Sequence, residues 1–136
     1  MGARFLIDTN AVIDLLESRL PPIAAYWLTE IQFRKEAAQS IVTRIELLSQ
    51  RNPTANTLRS VGFWNEDVLE LSLDDDVAAE TIRIRQTHRR KLPDAVIAAT
   101  ALVHNLPIIT RNLADFRAIS RLRVLDPHDP AALPAL

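Results

Sequence analysis

The chain has 136 residues, a net charge of −1 and no cysteine, and 48% of its residues are hydrophobic. This length and balance predict one soluble globular domain with its own core, and the missing cysteine excludes disulfide bonds, thiolate zinc sites and cysteine nucleophiles. No apolar run approaches the ~20 residues that span a bilayer, and the start of the chain does not resemble a signal peptide. We therefore expect a cytoplasmic protein that does not bind membranes.

Strand-like and helix-like patterns alternate along the chain. Short runs of strand type are predicted at residues 3–8, 39–43, 68–72, 107–110 and 123–125. Helices with an apolar period near 3.6 residues are predicted between them, beginning near Asn10, Pro22, Arg44, Pro53, Asp74 and Pro93. This alternation predicts an α/β domain over residues 1–126, with a mainly parallel sheet covered on both faces. The remaining residues, 127–136, are predicted to form a loose C-terminal tail.

Four carboxylates follow or adjoin the predicted strand ends. Asp8 lies where the first strand ends, and Glu46 lies just after the second. Asp94 lies in the first turn of a helix that is apolar nearly all round, and Asp115 follows the strand at 107–110. Because ligands of parallel α/β sheets bind outside the carboxyl ends of the strands, we expect these acids to share one cleft.

Carboxylates crowded in a medium of low dielectric constant repel one another and need a counter-ion. All-oxygen ligands favour Mg²⁺ or Mn²⁺ over zinc, and Mg²⁺ binds one or two carboxylates while it keeps waters and contacts phosphate oxygens. Such a site is suited to phosphodiester hydrolysis. Each acid also has a purely structural interpretation, as a helix cap, a capping box from Thr43 to Glu46, a helix-dipole partner or a loop acid. Only their joint placement favours catalysis.

Basic residues are concentrated in one short segment, although the net charge predicts no overall attraction for nucleic acid. Residues 66–80 include seven acidic and no basic residues, whereas residues 83–91 include five basic and no acidic ones. The basic segment either binds RNA phosphate, through Arg89, Arg90 and Lys91, or is a solvated helix end. No histidine has a second one at the spacing of a metal site.

Four motifs, in their order and spacing, resemble a PIN domain, and more closely the VapC-type toxins of type II toxin–antitoxin systems. They are LIDTN (residues 6–10), IVTRIELL (41–48), KLPDAVIAATAL (91–102) and IITRNLADF (108–116). The third motif is the most specific. The resemblance implies a three-layer α/β/α sandwich around a sheet of about five strands. It also implies a Mg²⁺-dependent endoribonuclease in which Mn²⁺ can replace Mg²⁺.

By motif, the resemblance assigns metal binding and catalysis to four acids, Asp8, Glu46, Asp94 and Asp115. Glu46 would also position or deprotonate the attacking water. Thr9, Thr110 and Asn112 match polar positions that support the ligands, and Asn112 stands where some relatives carry the fourth acid. Arg111, inside the fourth motif, is a candidate for binding substrate phosphate. The resemblance further implies an RNA substrate, a homodimer, and a small VapB-like antitoxin that forms a higher assembly with it.

Two other functions stay open from the sequence. A PIN-like fold without activity would serve as an RNA- or protein-binding module, although the complete acidic set argues against it. A phosphatase or receiver-like domain would use Asp8 as a phosphoryl acceptor, but such chemistry usually has a second acid where this chain has Asn10. Aromatic side chains of the early helices are predicted to be core or interface residues rather than base-stacking groups, namely Tyr26, Trp27, Phe63 and Trp64.

Overall fold

The computed structural model describes residues 2–136. Within these residues, five strands form one sheet: β1 (Phe5–Ile7), β2 (Ala37–Ser40), β3 (Leu69–Leu71), β4 (Ile108–Ile109) and β5 (Val124–Leu125). The same part of the chain contains seven α-helices: α1 (Thr9–Leu16), α2 (Pro22–Phe33), α3 (Ile41–Leu48), α4 (Ala55–Asp67), α5 (Asp75–Thr87), α6 (Leu92–Val103) and α7 (Leu113–Phe116). No helix of the described residues is both long and apolar enough to cross a bilayer.

All strands pair in parallel, in the order β3-β2-β1-β4-β5. The chain builds outward from β1 to β3 and then crosses back, so that β4 lies on the other side of β1. The direction of winding therefore reverses between β1 and β4, which is where open parallel sheets form a crevice beyond the carboxyl ends of their strands. The predicted α/β class, with a mainly parallel sheet of about five strands, is confirmed.

The two faces of the sheet pack against different helices. Phe5 and Ile7 of β1 belong to a core that includes buried residues of α1, α2 and α4. Leu6, between them, points to the opposite face, where it packs with residues of α5 and α6. In α6 every residue from Ala95 to Ala101 is buried, as predicted from its apolar sequence. The result is the expected three-layer sandwich.

The second strand ends earlier than the sequence pattern predicts. β2 stops at Ser40, and the predicted extension to Thr43 is wrong because Ile41 already begins α3. The hydroxyl of Ser40 accepts a 3.1 Å hydrogen bond from the Val42 amide and so caps the helix. Thr43 lies inside α3, so the capping box from Thr43 to Glu46 is wrong as well. Glu46 is therefore not a capping residue.

The C-terminal segment (residues 127–136) is ordered against the domain rather than loose. A 3-10 turn forms at Pro130–Ala132. The indole Nε1 of buried Trp27 donates a 2.7 Å hydrogen bond to the carbonyl of Pro134, and His128 contacts Asp14 of α1. The expectation of a loose tail is wrong, because these contacts join residues about a hundred positions apart and leave no periodic pattern in the sequence.

Candidate active site

The crevice between β1 and β4 is bridged by the residues that directly follow these strands. The Asp8 amide donates to the carbonyl of Ile109 at 3.0 Å, which extends the pairing of β1 with β4 by one residue. Thr110 follows β4, and its buried hydroxyl donates a 2.8 Å hydrogen bond to Oδ2 of Asp8. The sheet topology thus places Asp8 at the point where the winding reverses.

Asp8 is a buried carboxylate whose two oxygens have different partners. Oδ1 accepts from the Thr9 amide at 2.8 Å, and Asp8 therefore caps α1, as one interpretation of the sequence predicted. Oδ2 accepts from the Thr110 hydroxyl and from Nδ2 of Asn10, at 2.8 and 2.9 Å. The side chain is only 4% exposed. Capping of α1 accounts for the position of Oδ1, whereas Oδ2 bonds Thr110 and Asn10 at the crevice.

Burial raises the pKa of Asp8 to about 6 from its usual value of 3.8. The hydrogen bonds from Thr110 and Thr9 oppose this rise, whereas the negative charges of Asp94 and Glu46 add to it. The protein therefore holds a carboxylate where its charge is only partly compensated. A bound cation would supply that compensation.

Glu46 reaches the crevice from the second turn of α3. Its Oε1 accepts a 2.7 Å hydrogen bond from the hydroxyl of Thr9, the residue next to Asp8. The Thr9 hydroxyl also lies 3.0 Å from the hydroxyl of Thr43, which is buried inside α3. Thr9 thus links the acid of α3 to the start of α1. That Thr9 supports the metal ligands stays a prediction.

Asp94 and Asp115 form the other side of the acidic group. Burial raises the pKa of Asp94, the charges of Asp115 and Glu46 raise it further, and Lys91 and Arg90 oppose the rise. Nδ2 of Asn112 donates a 2.7 Å hydrogen bond to Oδ2 of Asp115, and so holds that carboxylate at the start of α7. Asn112 itself is fixed by its amide, which donates to the Thr110 hydroxyl at 3.0 Å.

Burial and the charges of neighbouring acids thus raise the pKa values of Asp8 and Asp94, but the four acids do not enclose a metal site by themselves. Among residues 2–136, no group of three or more His, Cys, Asp or Glu side chains lies close enough together to hold a metal ion by itself. Mg²⁺ commonly binds through one or two carboxylates and keeps several waters. The oxygen donors and the uncompensated charge at Asp8 fit such a hydrated cation better than a dehydrated one. Which acids bind it directly stays a prediction.

A basic hollow of about 450 Å³ adjoins the acidic group. Its lining consists of residues near the end of α5 and in the turn before α6: Arg85, His88, Arg89, Arg90 and Lys91. Nε of Arg90 donates to the main-chain carbonyl of Asp115, so this arginine ties the turn to α7. Arg89 and Lys91 are exposed. Two larger clefts lie elsewhere, one between α2 and α4 and one beside Phe5 and Pro107, and neither contains the acids.

Two polar residues of α1 that support this region were not predicted from the sequence. Asn10 lies in the first motif, and its side chain bonds Asp8, Thr110 and the amide of Arg111. Asp14 is fully buried, and both of its oxygens accept from Nη1 of Arg111, at 2.7 and 2.9 Å. A charged residue among the apolar residues of α1 was the signal that could have revealed Asp14.

A family model described as "PIN domain" matches residues 5–122. The chain belongs to the PIN-domain family. The predicted resemblance to a PIN domain is confirmed. The comparison with curated proteins finds no match.

Solved structures similar to this PIN domain include chains of toxin–antitoxin systems. A chain of a toxin–antitoxin complex from Klebsiella pneumoniae is 31% identical, with a TM-score of 0.71, and the match covers 90% of this chain and 96% of that one. FitAcB from Neisseria gonorrhoeae is 25% identical over 92% and 98% of the two chains, with a TM-score of 0.65. VapBC2 from Rickettsia felis, bound to a promoter DNA fragment, is 16% identical over 93% and 98%, with a TM-score of 0.78, and shows the fold alone.

Proposed function

We propose that this PIN domain is a Mg²⁺-dependent endoribonuclease, with Mn²⁺ able to replace Mg²⁺, and that it is the toxin of a VapBC-like pair. The observation that carries the proposal is the group of acids around the β1–β4 crevice, in which Asp8 is buried and has a pKa raised chiefly by this burial. The 31% identity to a chain of a toxin–antitoxin complex supports the toxin assignment. The family supports a nuclease.

Asp8 and Asp94 are the residues we assign to metal binding, with Asp115 and Glu46 completing the acidic surround. When bound, Mg²⁺ supplies a more acidic water and neutralises charge on the phosphate. Thr110 and Asn10 fix the orientation of the Asp8 carboxylate through their hydrogen bonds. Asn112 does the same for Asp115. These supports keep the carboxylates in place before substrate arrives.

Glu46 is the residue we assign to the attacking water, as proton acceptor or as positioning group. It is exposed, so water and a phosphodiester can approach it. The hydrogen bond from Thr9 fixes Oε1 and thereby sets the direction of the carboxylate. Because proton transfer depends on geometry first, this restraint suits a general base.

The basic hollow is the part of the surface we assign to the RNA backbone. Arg89 and Lys91 are exposed there, next to the acidic group that would hold the scissile phosphate. Phosphate contacts give affinity and position, without reading the base sequence. A protein of net charge −1 needs such a local patch, because its overall field does not attract RNA.

A partner protein would cover the exposed apolar side chains of α2 and α4. Ile23, Tyr26 and Phe33 of α2 are 70%, 65% and 78% exposed, and Phe63 of α4 is 66% exposed. Exposed apolar surface of this kind marks protein contacts. We assign it to a VapB-like antitoxin and to a second copy of this chain in a homodimer. In this arrangement Tyr26 and Phe63 are interface residues, and Trp27 and Trp64 are core residues.

The nuclease proposal is tested by incubating the purified, antitoxin-free protein with total RNA in Mg²⁺, in Mn²⁺ and in EDTA. Cleavage is expected with either metal and not in EDTA. The variant Asp94→Asn keeps the shape of the side chain, removes one charge and should abolish cleavage. The matched control is Glu66→Gln, an exposed acid near the end of α4 and at the opposite edge of the sheet, which should cut normally.

Absence of cleavage with both metals would contradict the enzymatic proposal and favour an inactive binding module. That alternative predicts RNA or protein binding that Asp94→Asn leaves unchanged. The toxin assignment has its own readout, since expression of the wild type should arrest growth, Asp94→Asn should not, and co-expression of the antitoxin should restore growth. Growth arrest by both forms would contradict a nuclease mechanism of toxicity.

A further inference from the structure

Asp14 forms a second polar centre that the proposed chemistry does not use. It lies in α1, has no exposed surface, and its two oxygens accept from Nη1 of Arg111 at 2.7 and 2.9 Å. Nε2 of His128 lies 2.9 Å from Oδ2, whereas Arg19 comes no closer than 3.7 Å. A buried carboxylate is retained only where its partners are well placed. Arg111 and His128 are these partners.

The segment that follows β4 is attached to α1 at three successive levels. The Thr110 hydroxyl bonds Asp8, the Arg111 amide donates to Oδ1 of Asn10 at 3.2 Å, and the Arg111 side chain bonds Asp14. Asn10 and Asp14 are four residues apart and so lie on one face of α1. The next residue, Asn112, holds Asp115. The third attachment therefore acts on the position of the fourth acid.

The C-terminal segment completes this centre from outside the region that the PIN-domain model matches. That match ends at residue 122, and His128 lies beyond it. The His128 amide donates to Oδ1 of Asp126 at 2.9 Å, and the Pro134 carbonyl accepts from Trp27, so the segment is fixed on both sides of Pro130–Ala132. His128 is thus held against Asp14 by the fold.

We infer that Asp14 is a positioning residue of the acidic site and that it acts through Arg111. His128 of the C-terminal segment is the second partner of the Asp14 carboxylate. Through Arg111 it holds residues 110–115 in register with Asp8. Arg111 then has a structural role, because its Nη1 donates to both oxygens of Asp14, and it is not the main phosphate contact. This inference rests on the proposed function for its catalytic consequence, and on the contacts alone for its structural one.

Arg111→Gln is the principal test, because the Arg111 side chain is half exposed and His128 still contacts the buried Asp14 carboxylate in this variant. The amides of Arg111 and Asn112 should lose protection from hydrogen exchange, while the amides of β1 and β2 keep theirs. Calorimetric titration with Mn²⁺ should show about 10- to 100-fold weaker binding. Arg4→Gln, which removes the ion pair between the exposed Arg4 side chain and the largely buried Glu36, is the matched control and should change neither readout.

Two variants of His128 test the contribution of the C-terminal segment. His128→Gln keeps a nitrogen donor and should retain the exchange protection and Mn²⁺ affinity, whereas His128→Leu should lose part of both. In the RNA assay, Arg111→Gln should lower kcat and leave KM nearly unchanged. A raised KM with unchanged kcat would overturn the inference in favour of a substrate contact. Unchanged exchange and Mn²⁺ affinity in Arg111→Gln would overturn it even if the wild type cuts no RNA.

Discussion

The hydroxyl of Thr110 donates a 2.8 Å hydrogen bond to Oδ2 of Asp8, although the two residues are 102 positions apart in the chain. They follow β4 and β1, the neighbouring strands between which the sheet changes its direction of winding. This bond therefore joins the two halves of the domain at the proposed active site.

Removing the Thr110 hydroxyl should destabilise the domain more than removing another buried threonine hydroxyl. Thr110→Val removes one of the three hydrogen bonds that the buried Asp8 carboxylate accepts, and it takes away the acceptor of the Asn112 amide, at a cost of about 1–3 kcal/mol. The Thr100 hydroxyl bonds only the Val96 carbonyl of its own helix, so Thr100→Val is the control and should cost less. Urea denaturation measures both, and equal losses would contradict the prediction.

The stability of the metal-free protein should depend on pH through Asp8. Its pKa is about 6 in the folded protein and 3.8 in the unfolded reference, so the folded state favours the protonated carboxyl. The stability gained by protonation is complete below pH 3.8 and is lost as pH rises through about 6. At one pKa unit per 1.4 kcal/mol, the wild type should gain about 2 kcal/mol relative to Asp8→Asn between about pH 7 and about pH 4.5.

Denaturation in EDTA at several pH values gives this difference directly. The comparison with Asp8→Asn cancels the titration of the carboxyls that do not interact with Asp8, so the difference reports Asp8 together with its coupling to Asp94 and Glu46. A difference that stays flat over this range would show that burial does not raise the pKa of Asp8. Lower pH should also weaken Mn²⁺ binding to the wild type, since the proton and the metal compete for this carboxylate.

Gln39 should stabilise the core through the hydrogen bonds of its buried side chain. This residue of β2 is fully buried, its Oε1 accepts a 2.7 Å hydrogen bond from Nε1 of Trp64, and its Nε2 donates to Asn65. Gln39→Leu leaves the indole N–H of Trp64 without an acceptor and should lower the free energy of unfolding by about 2 kcal/mol or more. In the double variant Gln39→Leu/Trp64→Phe the stranded donor is gone, so the loss measured by urea denaturation should be smaller than the sum of the single losses.

Neutralising the exposed cations of the basic hollow should weaken RNA binding in a salt-dependent way. Arg89→Gln and Lys91→Gln, made in the Asp94→Asn background to prevent cleavage, should each lower affinity and reduce the slope of log affinity against log salt by about 1. Arg34→Gln is the control, since Arg34 ends α2 and pairs with Glu30. Filter binding over a series of salt concentrations measures the slope. Unchanged slopes would show that the basic hollow is not part of the RNA-binding surface.

Local signals in the sequence located most of the elements but not their long-range partners. Pro22 and Pro93 lie within the first turns of α2 and α6, as expected from their fixed backbone angle. The β-branched Ile41 and Val42 predicted strand, but Ser40 caps a helix there, and tertiary packing outweighed the local preference. Burial of the alanine-rich α6 followed directly from its composition.

The candidate site was predictable as far as it depends on strand ends and motifs. Asp8 and Thr110 lie beside each other as the strand argument requires. Asp14 was missed because its partners, Arg111 and His128, are 97 and 114 residues away, and a single helix pattern contains no information about them. Such contacts depend on the strand order, which alternation of strands and helices does not determine.

The crossover that brings β4 beside β1 also determines when during synthesis the site can first assemble. Asp8 leaves the ribosome 102 residues before its partner Thr110, and the acid Asp115 emerges later still. Domains fold largely as units, and pairing between distant segments waits for the later one to emerge. A nascent chain that ends before β4 lacks the crevice altogether. If the protein is the proposed ribonuclease, its nascent chain therefore cannot cut the messenger RNA that encodes it until nearly the whole domain has been made.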